Sequence, residues 1–214
     1  YSDPLADGPV IQQASQKALE NGTRLQDVLN LAAQARSDGL SAGFILFSYF
    51  NPVLQYGLPR LFESLKLSGI DGIIIPDLPV DESGPVLQLA DEHGVHLIPL
   101  AAPTSLSRLD KITQAARGLI YCVSSLGVTG VRKQFHSSLQ DLLSALRQRT
   151  HLPLVVGFGV SNHEQFQELS HLCDGVVVGS ALVKEIMRHE AALASGSQNA
   201  IAQAEQQLAS FIRR

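Results

Sequence analysis

Short apolar runs alternate along the chain with longer segments in which apolar residues recur at helical spacing. The runs are apolar on both faces, which is typical of parallel strands that helices cover on each side. Six runs predict strands, over residues 43–49, 72–75, 96–100, 118–123, 154–157 and 175–178. The pattern therefore predicts an α/β protein built on a parallel sheet.

The segments between these runs predict amphipathic helices. Apolar residues fall at positions i, i+3, i+4 and i+7 in the stretches 28–35 and 139–146, and one face of 201–211 is apolar. Further helices are predicted over residues 10–20, 59–67, 85–92, 106–116, 163–169 and 181–189. Strands often follow helices through a glycine, at Gly69, Gly94 and Gly118. Repeated strand–helix units with short links predict either an open doubly wound sheet or a closed barrel.

The chain opens on YSDPLADGP, a polar stretch with proline and glycine that is typical of a loop between two elements. Such a loop would follow a strand and lead into the helix over 10–20. An eight-stranded barrel needs two strands more than the six found. We therefore expect a barrel whose first two strands precede Tyr1, with residues 1–214 forming a single partial domain.

The composition argues against nucleic-acid binding and against a membrane span. The 214 residues are 45% hydrophobic and 17% charged, with a net charge of −4 and no basic run. A nucleic-acid surface needs clustered Lys and Arg, so none is expected. The apolar runs are far shorter than the roughly 18 residues that span a bilayer, so no membrane span is expected. Cys122 and Cys173 lie in apolar runs, which favours a reducing compartment, the cytoplasm.

Glycine-rich loops after the last two predicted strands indicate a phosphate site. The sequence GFG follows strand 154–157, and GS follows strand 175–178. Backbone N–H groups in such loops approach an anion closely, and a helix N-terminus adds favourable partial charge. A GS pair alone is usually only a helix cap, but two such loops together favour phosphate binding. We expect Gly159, Gly179 and Ser180 to hold the phosphate and Gly130 to close over it.

Other polar residues at strand ends have two interpretations each. Asp7 could act in proton transfer, although its spacing favours a cap for the helix that begins near Pro9. Asp3 and Asp77 stand next to prolines and are typical of turns. Tyr49 and Tyr121 could serve a site or simply pack in the core. The seven histidines show no ligand-like spacing, so no metal site is expected.

Five segments carry a resemblance to a known family: YSDPLADGPVIQ, PDLPVDES, YCVSSLGVTGVR, VGFGVS and DGVVVGSALV. In this order and spacing they closely resemble the α subunit of bacterial tryptophan synthase, in its Bacillus-type form, across essentially the whole chain. The resemblance implies a TIM (βα)₈ barrel of the ribulose-phosphate-binding type. It also implies retro-aldol cleavage of indole-3-glycerol phosphate without a cofactor. Indole would pass to a pyridoxal phosphate β subunit in an α₂β₂ assembly.

The same resemblance implies residue roles. Asp7 would pair with the indole N–H, which reverses the preference for a helix cap, and a Glu on the preceding strand would protonate the ring carbon. Tyr121 matches the catalytic-site tyrosine, while Tyr49 and Ile11 match contacts to the indole ring. Phosphate contacts would fall on Gly130, Gly159, Gly179 and Ser180, and β-subunit contacts on Asp3, Asp77 and Pro79. Since the family motif places the Glu before Tyr1, we expect the 214-residue chain alone to be destabilised and essentially inactive.

Three alternatives stay open. A phosphoribosyl isomerase barrel would need its own acid–base pair at other strand ends, and no such pair is evident. A stand-alone indole-3-glycerol-phosphate lyase would share this site and would differ by not co-purifying with a β subunit. A non-catalytic regulatory partner would bind phosphate and activate a β-type subunit without cleaving the substrate.

Overall fold

The computed structural model describes residues 7–123, 132–157, 171 and 173–212. It contains two compact units, which are considered separately. The sheet unit comprises Gly22–Val177, and the helical unit comprises Asp7–Asn21 together with Val178–Arg214. The expectation of a single partial domain stays a prediction.

Every strand of the described residues lies in the sheet unit, and every strand pairing is parallel. The strands pair in the orders β1-β2-β3 and β4-β5-β6-β7. This confirms the parallel sheet expected from the doubly apolar runs. The strands are β1 (Ile45–Phe47), β2 (Gly72–Ile74), β3 (His96–Leu97), β4 (Leu100–Ala101), β5 (Ile120–Val123), β6 (Leu154–Gly157) and β7 (Gly175–Val176).

The strand predicted over residues 96–100 is divided into two short strands, β3 and β4. β3 pairs with β2, whereas β4 pairs with β5. Pro99 lies between them and has no N–H to donate to a ladder. Its carbonyl still accepts from Tyr121 N at 3.1 Å, and Ile98 N donates to Ile73 O at 2.9 Å. This segment therefore passes its hydrogen bonding from one neighbouring strand to the other.

The described helices agree with the predicted periodicity except at the segment predicted over 106–116 and at three short helices. That segment begins as a 3₁₀ helix, Pro103–Arg108, before α6 (Leu109–Ala115). The short helices α3 (Phe50–Tyr56), α9 (Glu190–Ala194) and the 3₁₀ helix Val80–Glu82 were not predicted, because three to seven residues are too few to show a period. The helix predicted over 163–169 lies outside the described residues.

The described helices comprise ten α-helices and two 3₁₀ helices. They are α1 (Pro9–Glu20), α2 (Leu25–Ser37), α3 (Phe50–Tyr56), α4 (Leu58–Leu67), a 3₁₀ helix (Val80–Glu82), α5 (Gly84–His93), the 3₁₀ helix Pro103–Arg108, α6 (Leu109–Ala115), α7 (Arg132–Arg147), α8 (Ser180–Arg188), α9 (Glu190–Ala194) and α10 (Gln198–Ile212).

The core of the sheet unit forms where the apolar helix faces meet the strands. Leu61 and Phe62 of α4 pack in one cluster with Ile73 of β2, and all three are fully buried. In a second cluster, Leu142 of α7 packs with Ile120 of β5, again with no exposed surface. These contacts bury the helix-facing side of the strands, and Ile74 and Tyr121 are buried in a third cluster. The predicted burial of both faces therefore holds for β2 and β5, whereas β1 exposes Ile45 and Phe47.

Arg36 at the end of α2 binds the chain before β1 and β2. Its guanidinium donates to the carbonyls of Gly69 (2.9 Å), Leu40 (2.9 Å) and Ala42 (2.6 Å) and to the carboxylate of Asp71 (2.5 Å). Gly69 has a φ of +68°, and a Cβ there would lie 2.8 Å from Arg36 Cγ. A side chain at Gly69 would therefore displace Arg36. This arginine fixes the amino ends of two adjacent strands.

A second polar cluster holds the amino ends of β6 and β7. Leu154 N donates to the carboxylate of Asp174 at 2.7 Å, and Arg147 of α7 pairs with the same carboxylate. The hydrogen bond from Leu154 N, followed by that from Arg147, holds the pKa of Asp174 below its usual range. Asp174 is therefore charged at neutral pH and joins a helix to two strands.

We predict that Arg36→Lys destabilises the chain by about 2 kcal/mol, because lysine lacks the planar fork needed to reach several acceptors at once. Urea unfolding followed by circular dichroism measures the change. Arg60→Lys is the matched control, since Arg60 is exposed and its guanidinium lies over the Tyr56 ring, 4.7 Å from the centroid. Equal destabilisation by the two substitutions would contradict the role assigned to Arg36.

A second prediction concerns the pH dependence of stability at Asp174. Because its folded pKa is lowered, its charge stabilises the chain above the ordinary value of 3.8, and this stabilisation is lost as pH falls through the folded pKa. Asp174→Asn keeps an acceptor for Leu154 N but has no charge. We expect it to be less stable than the unsubstituted chain at about pH 6 by up to roughly 1 kcal/mol, and the difference to shrink towards about pH 3.

Urea unfolding at a series of pH values measures this difference. Asp174→Ala serves as the comparison, because it also leaves Leu154 N without its acceptor and should be more destabilising than the asparagine substitution at every pH. A gap between the unsubstituted chain and Asp174→Asn that stays constant with pH would show that the charge contributes nothing.

Candidate functional site

The candidate site of the sheet unit lies where its parallel strands end. In α/β barrels, the loops after the carboxyl ends of strands carry the functional side chains. Tyr49 follows β1, Asp77 follows β2, Tyr121 lies in β5, and Gly157 ends β6. Parallel pairing brings Tyr49 and Asp77 to one edge of the first sheet, and Tyr121 and Gly157 to one edge of the second.

Tyr121 projects from β5 and lies against the backbone of β6. A Cβ added at Gly157 would stand only 1.9 Å from Tyr121 Oη and 2.2 Å from its Cζ, so only glycine leaves room for this ring. The side chain is 7% exposed and packs with Ile74 and Ile98. Tyr121 therefore does pack in the core, with its hydroxyl directed to the end of β6.

Tyr49 closes the loop between β1 and α3. It occupies the N-cap position of α3 and is half-buried. Its ring meets that of Phe47 edge to face, with centroids 6.4 Å apart and an interplanar angle of 80°. Phe47 is 40% exposed, which is a large exposed fraction for a bulky apolar side chain. The two rings form an aromatic wall at the end of β1.

Asp77 joins the loop after β2 to this aromatic wall. Phe50 N, the first amide of α3, donates to Asp77 Oδ1 at 2.8 Å. Phe50 directly follows Tyr49, so the carboxylate fixes the backbone next to that ring. Asp77 and Pro79 are both exposed. The turn expected at Asp77 thus carries a specific contact between two strand-end loops.

Within the helical unit, Asp7 precedes the first turn of α1. Gly8 is the N-cap residue and Pro9 is the first helical residue, so Asp7 does not occupy the cap position. Its backbone carbonyl accepts from Gln12 Nε2 at 2.9 Å. Ile11 is half-buried in the first turn of the same helix.

Gly179 and Ser180 begin helix α8 of the helical unit. Gly179 is the N-cap residue, its carbonyl accepts from Val183 N at 3.0 Å, and both Gly179 and Ser180 are exposed. The first amides of a helix have no partner within it and carry partial positive charge. This end of α8 is therefore suited to an anion such as phosphate.

Three predicted site residues, Asp3, Gly130 and Gly159, lie outside the described residues. The structure brings Tyr49 and Asp77 together through the Phe50 amide, and it describes Asp7, Ile11, Gly179 and Ser180 within the other unit. Gly157 leaves the space that the Tyr121 ring occupies, and the sequence did not predict this contact. Its signal was the GFG run itself, but only the pairing of β5 with β6 shows which ring needs the space.

The two thiols are not suited to nucleophilic chemistry. Burial raises the pKa of Cys122 to about 12, and burial also raises the pKa of Cys173. Thiolates, which are the nucleophilic form, are therefore scarce at neutral pH. Both cysteines are free thiols.

No group of three or more His, Cys, Asp or Glu side chains in the described residues could hold a metal ion. Among the described helices, none has the length and apolar character needed to cross a membrane.

Comparison with known proteins identifies one family. The model of the tryptophan synthase alpha chain family matches residues 1–212. The tryptophan synthase alpha chain of Geobacillus kaustophilus is 49% identical over 186 residues, covering 87% of this chain and 69% of the relative. That of Shouchella clausii is 44% identical over 214 residues, covering 99% of this chain and 80% of the relative. The Bacillus-like character expected from the sequence is confirmed.

Solved structures give the same result. The tryptophan synthase complex from Pyrococcus furiosus contains a chain with a TM-score of 0.79 and 31% identity, over all of this chain and 83% of that one. The alpha subunit from Campylobacter jejuni has a TM-score of 0.77 and 33% identity, over 86% of this chain and 74% of that one. These likenesses confirm the expected α/β-barrel class. The chain belongs to the tryptophan synthase alpha chain family.

Proposed function

We propose that this chain carries out the retro-aldol cleavage of indole-3-glycerol phosphate to indole and glyceraldehyde 3-phosphate, as a lyase of tryptophan biosynthesis. The family match over residues 1–212 carries the proposal. The aromatic wall at the end of β1 and the open amino end of α8 support it, because the substrate has an aromatic ring and a phosphate.

The reaction needs opposed acid and base roles. A proton must reach the ring carbon that bears the glycerol chain, after which the carbon–carbon bond breaks. The neighbouring hydroxyl then loses its proton and becomes the aldehyde, while the electron pair of the broken bond returns to the indole ring. Asp7 is assigned to the indole N–H, where a carboxylate stabilises the positive charge of the protonated ring. The resemblance places the proton donor on a Glu of the strand before the SDPLADG motif.

The remaining site residues bind and orient the substrate. Tyr121 places its hydroxyl beside the end of β6, where it can hydrogen-bond to the reacting glycerol chain. Tyr49 and Ile11 contact the indole ring. The amides at Gly179 and Ser180 bind the phosphate, together with the loops that contain Gly130 and Gly159. Metal ions and cofactors have no assigned part.

The partner is a β subunit that receives indole in an α₂β₂ assembly. Asp77 and Pro79 are exposed and available for that contact, and Asp3 is assigned to the same surface. The Pyrococcus furiosus structure is described as a tryptophan synthase complex, which supports the assembly. We assign the protein to the cytoplasm, where two free thiols persist without oxidation.

We predict that Gly157→Ala destabilises the chain by about 1–3 kcal/mol and weakens substrate binding at least tenfold, because the new methyl group displaces the Tyr121 ring. Affinity for indole-3-propanol phosphate, which lacks the hydroxyls that the cleavage needs, measures binding. Gly175→Ala on β7 is the matched control, since a Cβ there would meet Val155 at an ordinary 3.5 Å.

A double-mutant cycle tests whether contact with the Tyr121 ring causes the destabilisation by Gly157→Ala. Tyr121→Leu removes the ring, so adding Gly157→Ala in that background should change the free energy of unfolding far less than it does alone. If Gly157→Ala destabilised the chain equally with and without the Tyr121 ring, a clash with that ring would not be the cause.

We predict that Asp7→Asn lowers indole release at least 100-fold while changing the affinity for indole-3-propanol phosphate less than threefold, because general acid–base groups typically contribute 10²–10⁴-fold. Indole release by this protein is measured alone and with a β subunit, and Asp38→Asn in an exposed position serves as the control.

The same assays separate the alternatives. Binding of the analogue and activation of the β subunit without indole release would support the non-catalytic regulator. Indole release by a protein that shows no association with a β subunit would support the stand-alone lyase. Failure to bind the analogue would refute all three.

A further inference from the structure

A cavity of about 350 Å³ lies within the sheet unit and shares Asp77 and Pro79 with the strand-end loops described above. Its walls are the loop after β2, the β3–β4 segment, the 3₁₀ helix Pro103–Arg108 and α6. Most of its lining is aliphatic or proline, as at Ile75, Leu97, Pro99 and Ile112. This volume is at the lower end of the range for small-molecule pockets, about 300–1,000 Å³.

The cavity is lined by residues of two core clusters. Ile75 and Leu97 belong to the cluster that packs under helices α2, α4 and α5. Tyr121 belongs to a different cluster, with Ile74. Ile98 and Leu100, which pack with Tyr121 in that second cluster, also line the cavity, so the cavity adjoins this tyrosine. The groups that distinguish it from the substrate pocket are Arg108 and Ser105, neither of which is assigned to the substrate.

Two donors face this cavity. Ser105 is 7% exposed, and its Oγ accepts from Ala102 N at 3.2 Å. Among the described residues, no acceptor is given for its hydroxyl hydrogen. Arg108 has one ion-pair contact in this part of the chain, with Asp81 Oδ2 at 3.9 Å. Both groups can therefore donate to an acceptor inside the cavity.

The neighbouring charged side chains leave the Arg108 guanidinium able to pair with a ligand. Lys111 contacts the other oxygen of Asp81, and this hydrogen bond is the main reason that the pKa of Asp81 is lowered. Asp81 is thus neutralised chiefly by Lys111, and the 3.9 Å contact to Arg108 is long for an ion pair. A guanidinium in this position can form a shorter, charge-assisted pair with a ligand carboxylate.

The negative charge of Asp77 restricts the ligands that this cavity can bind. Asp77 also lines the cavity, and one of its oxygens is already engaged by Phe50 N. Its negative charge opposes a second anionic group at that wall. The lining therefore favours one carboxylate beside Arg108 and Ser105, with an uncharged body among the aliphatic side chains.

We propose that this cavity is a second small-molecule site, which binds a monocarboxylate with an aromatic or branched aliphatic body. The carboxylate pairs with Arg108 and accepts from Ser105, and the body packs against Ile75, Leu97 and Ile112. The proposal is independent of the catalytic roles assigned above, because its polar contacts are made by Arg108 and Ser105, which have no part in those roles.

The test uses 3-phenylpropionate as the probe and 3-phenylpropionamide as its neutral match. Isothermal titration and NMR titration of the 214-residue chain measure affinity. We expect 3-phenylpropionate to saturate with a Kd of about 1 mM or tighter. The amide and the variant Arg108→Gln should each weaken binding at least tenfold, whereas Arg60→Gln, at an exposed position, should leave it unchanged.

A second variant tests the location of the proposed site without changing any charged residue. Ala115→Leu places additional carbon atoms in the cavity from α6 and should reduce binding at least tenfold while the circular dichroism spectrum stays the same. The proposal is overturned by absence of saturation at about 10 mM probe, by equal affinity for the amide, or by unchanged binding in Arg108→Gln. Full competition by indole-3-propanol phosphate would also overturn it, because the probe would then occupy the substrate site.

Discussion

The contact between the Tyr121 ring and the backbone of Gly157 is the constraint on which the site depends. Parallel pairing sets Tyr121 opposite Val155 and Val123 opposite Gly157, so the ring reaches along β6 to its last residue. Any side chain at Gly157 would occupy the volume of that ring. The position of the hydroxyl is therefore fixed by the register of two strands and by the absence of one methyl group. A rigid strand edge holds such a group more accurately than a loop would.

The amino ends of the strands carry contacts that stabilise the fold, and the carboxyl ends carry the groups assigned to function. At the amino ends, Arg36 and Arg147 pair with Asp71 and Asp174, and these groups also bind backbone atoms that lead into the strands. At the carboxyl ends, the aromatic wall and the exposed loop after β2 carry the groups assigned to substrate and partner. Because charged clusters fix the amino ends of the strands, the carboxyl ends can present exposed side chains such as Phe47 without losing the register. This division is the general pattern of barrel enzymes.

Much of the fold could be predicted from the sequence, because the apolar runs and the leucine spacing report burial directly. The pattern predicted β6 correctly at both ends, and it predicted the buried face of α7. It failed at Pro99, where a continuous apolar run hides a change of hydrogen-bonding partner, and at α3, which is too short to show a period. Site residues were found by motif, but their contacts were not. The hydrogen bond from Phe50 N to Asp77 joins residues 27 positions apart, and no local pattern encodes such a pair.

That hydrogen bond also provides a physical link between the surface assigned to the β subunit and the wall assigned to indole. Asp77 is exposed, so water competes for its carboxylate and weakens the bond to the first amide of α3. A subunit that covers Asp77 removes this water and lowers the local dielectric constant, which strengthens the same bond. Phe50 then holds the neighbouring Tyr49 more firmly at the end of β1. Covering Asp77 would thus order the loop that bears Tyr49 through the amide of Phe50.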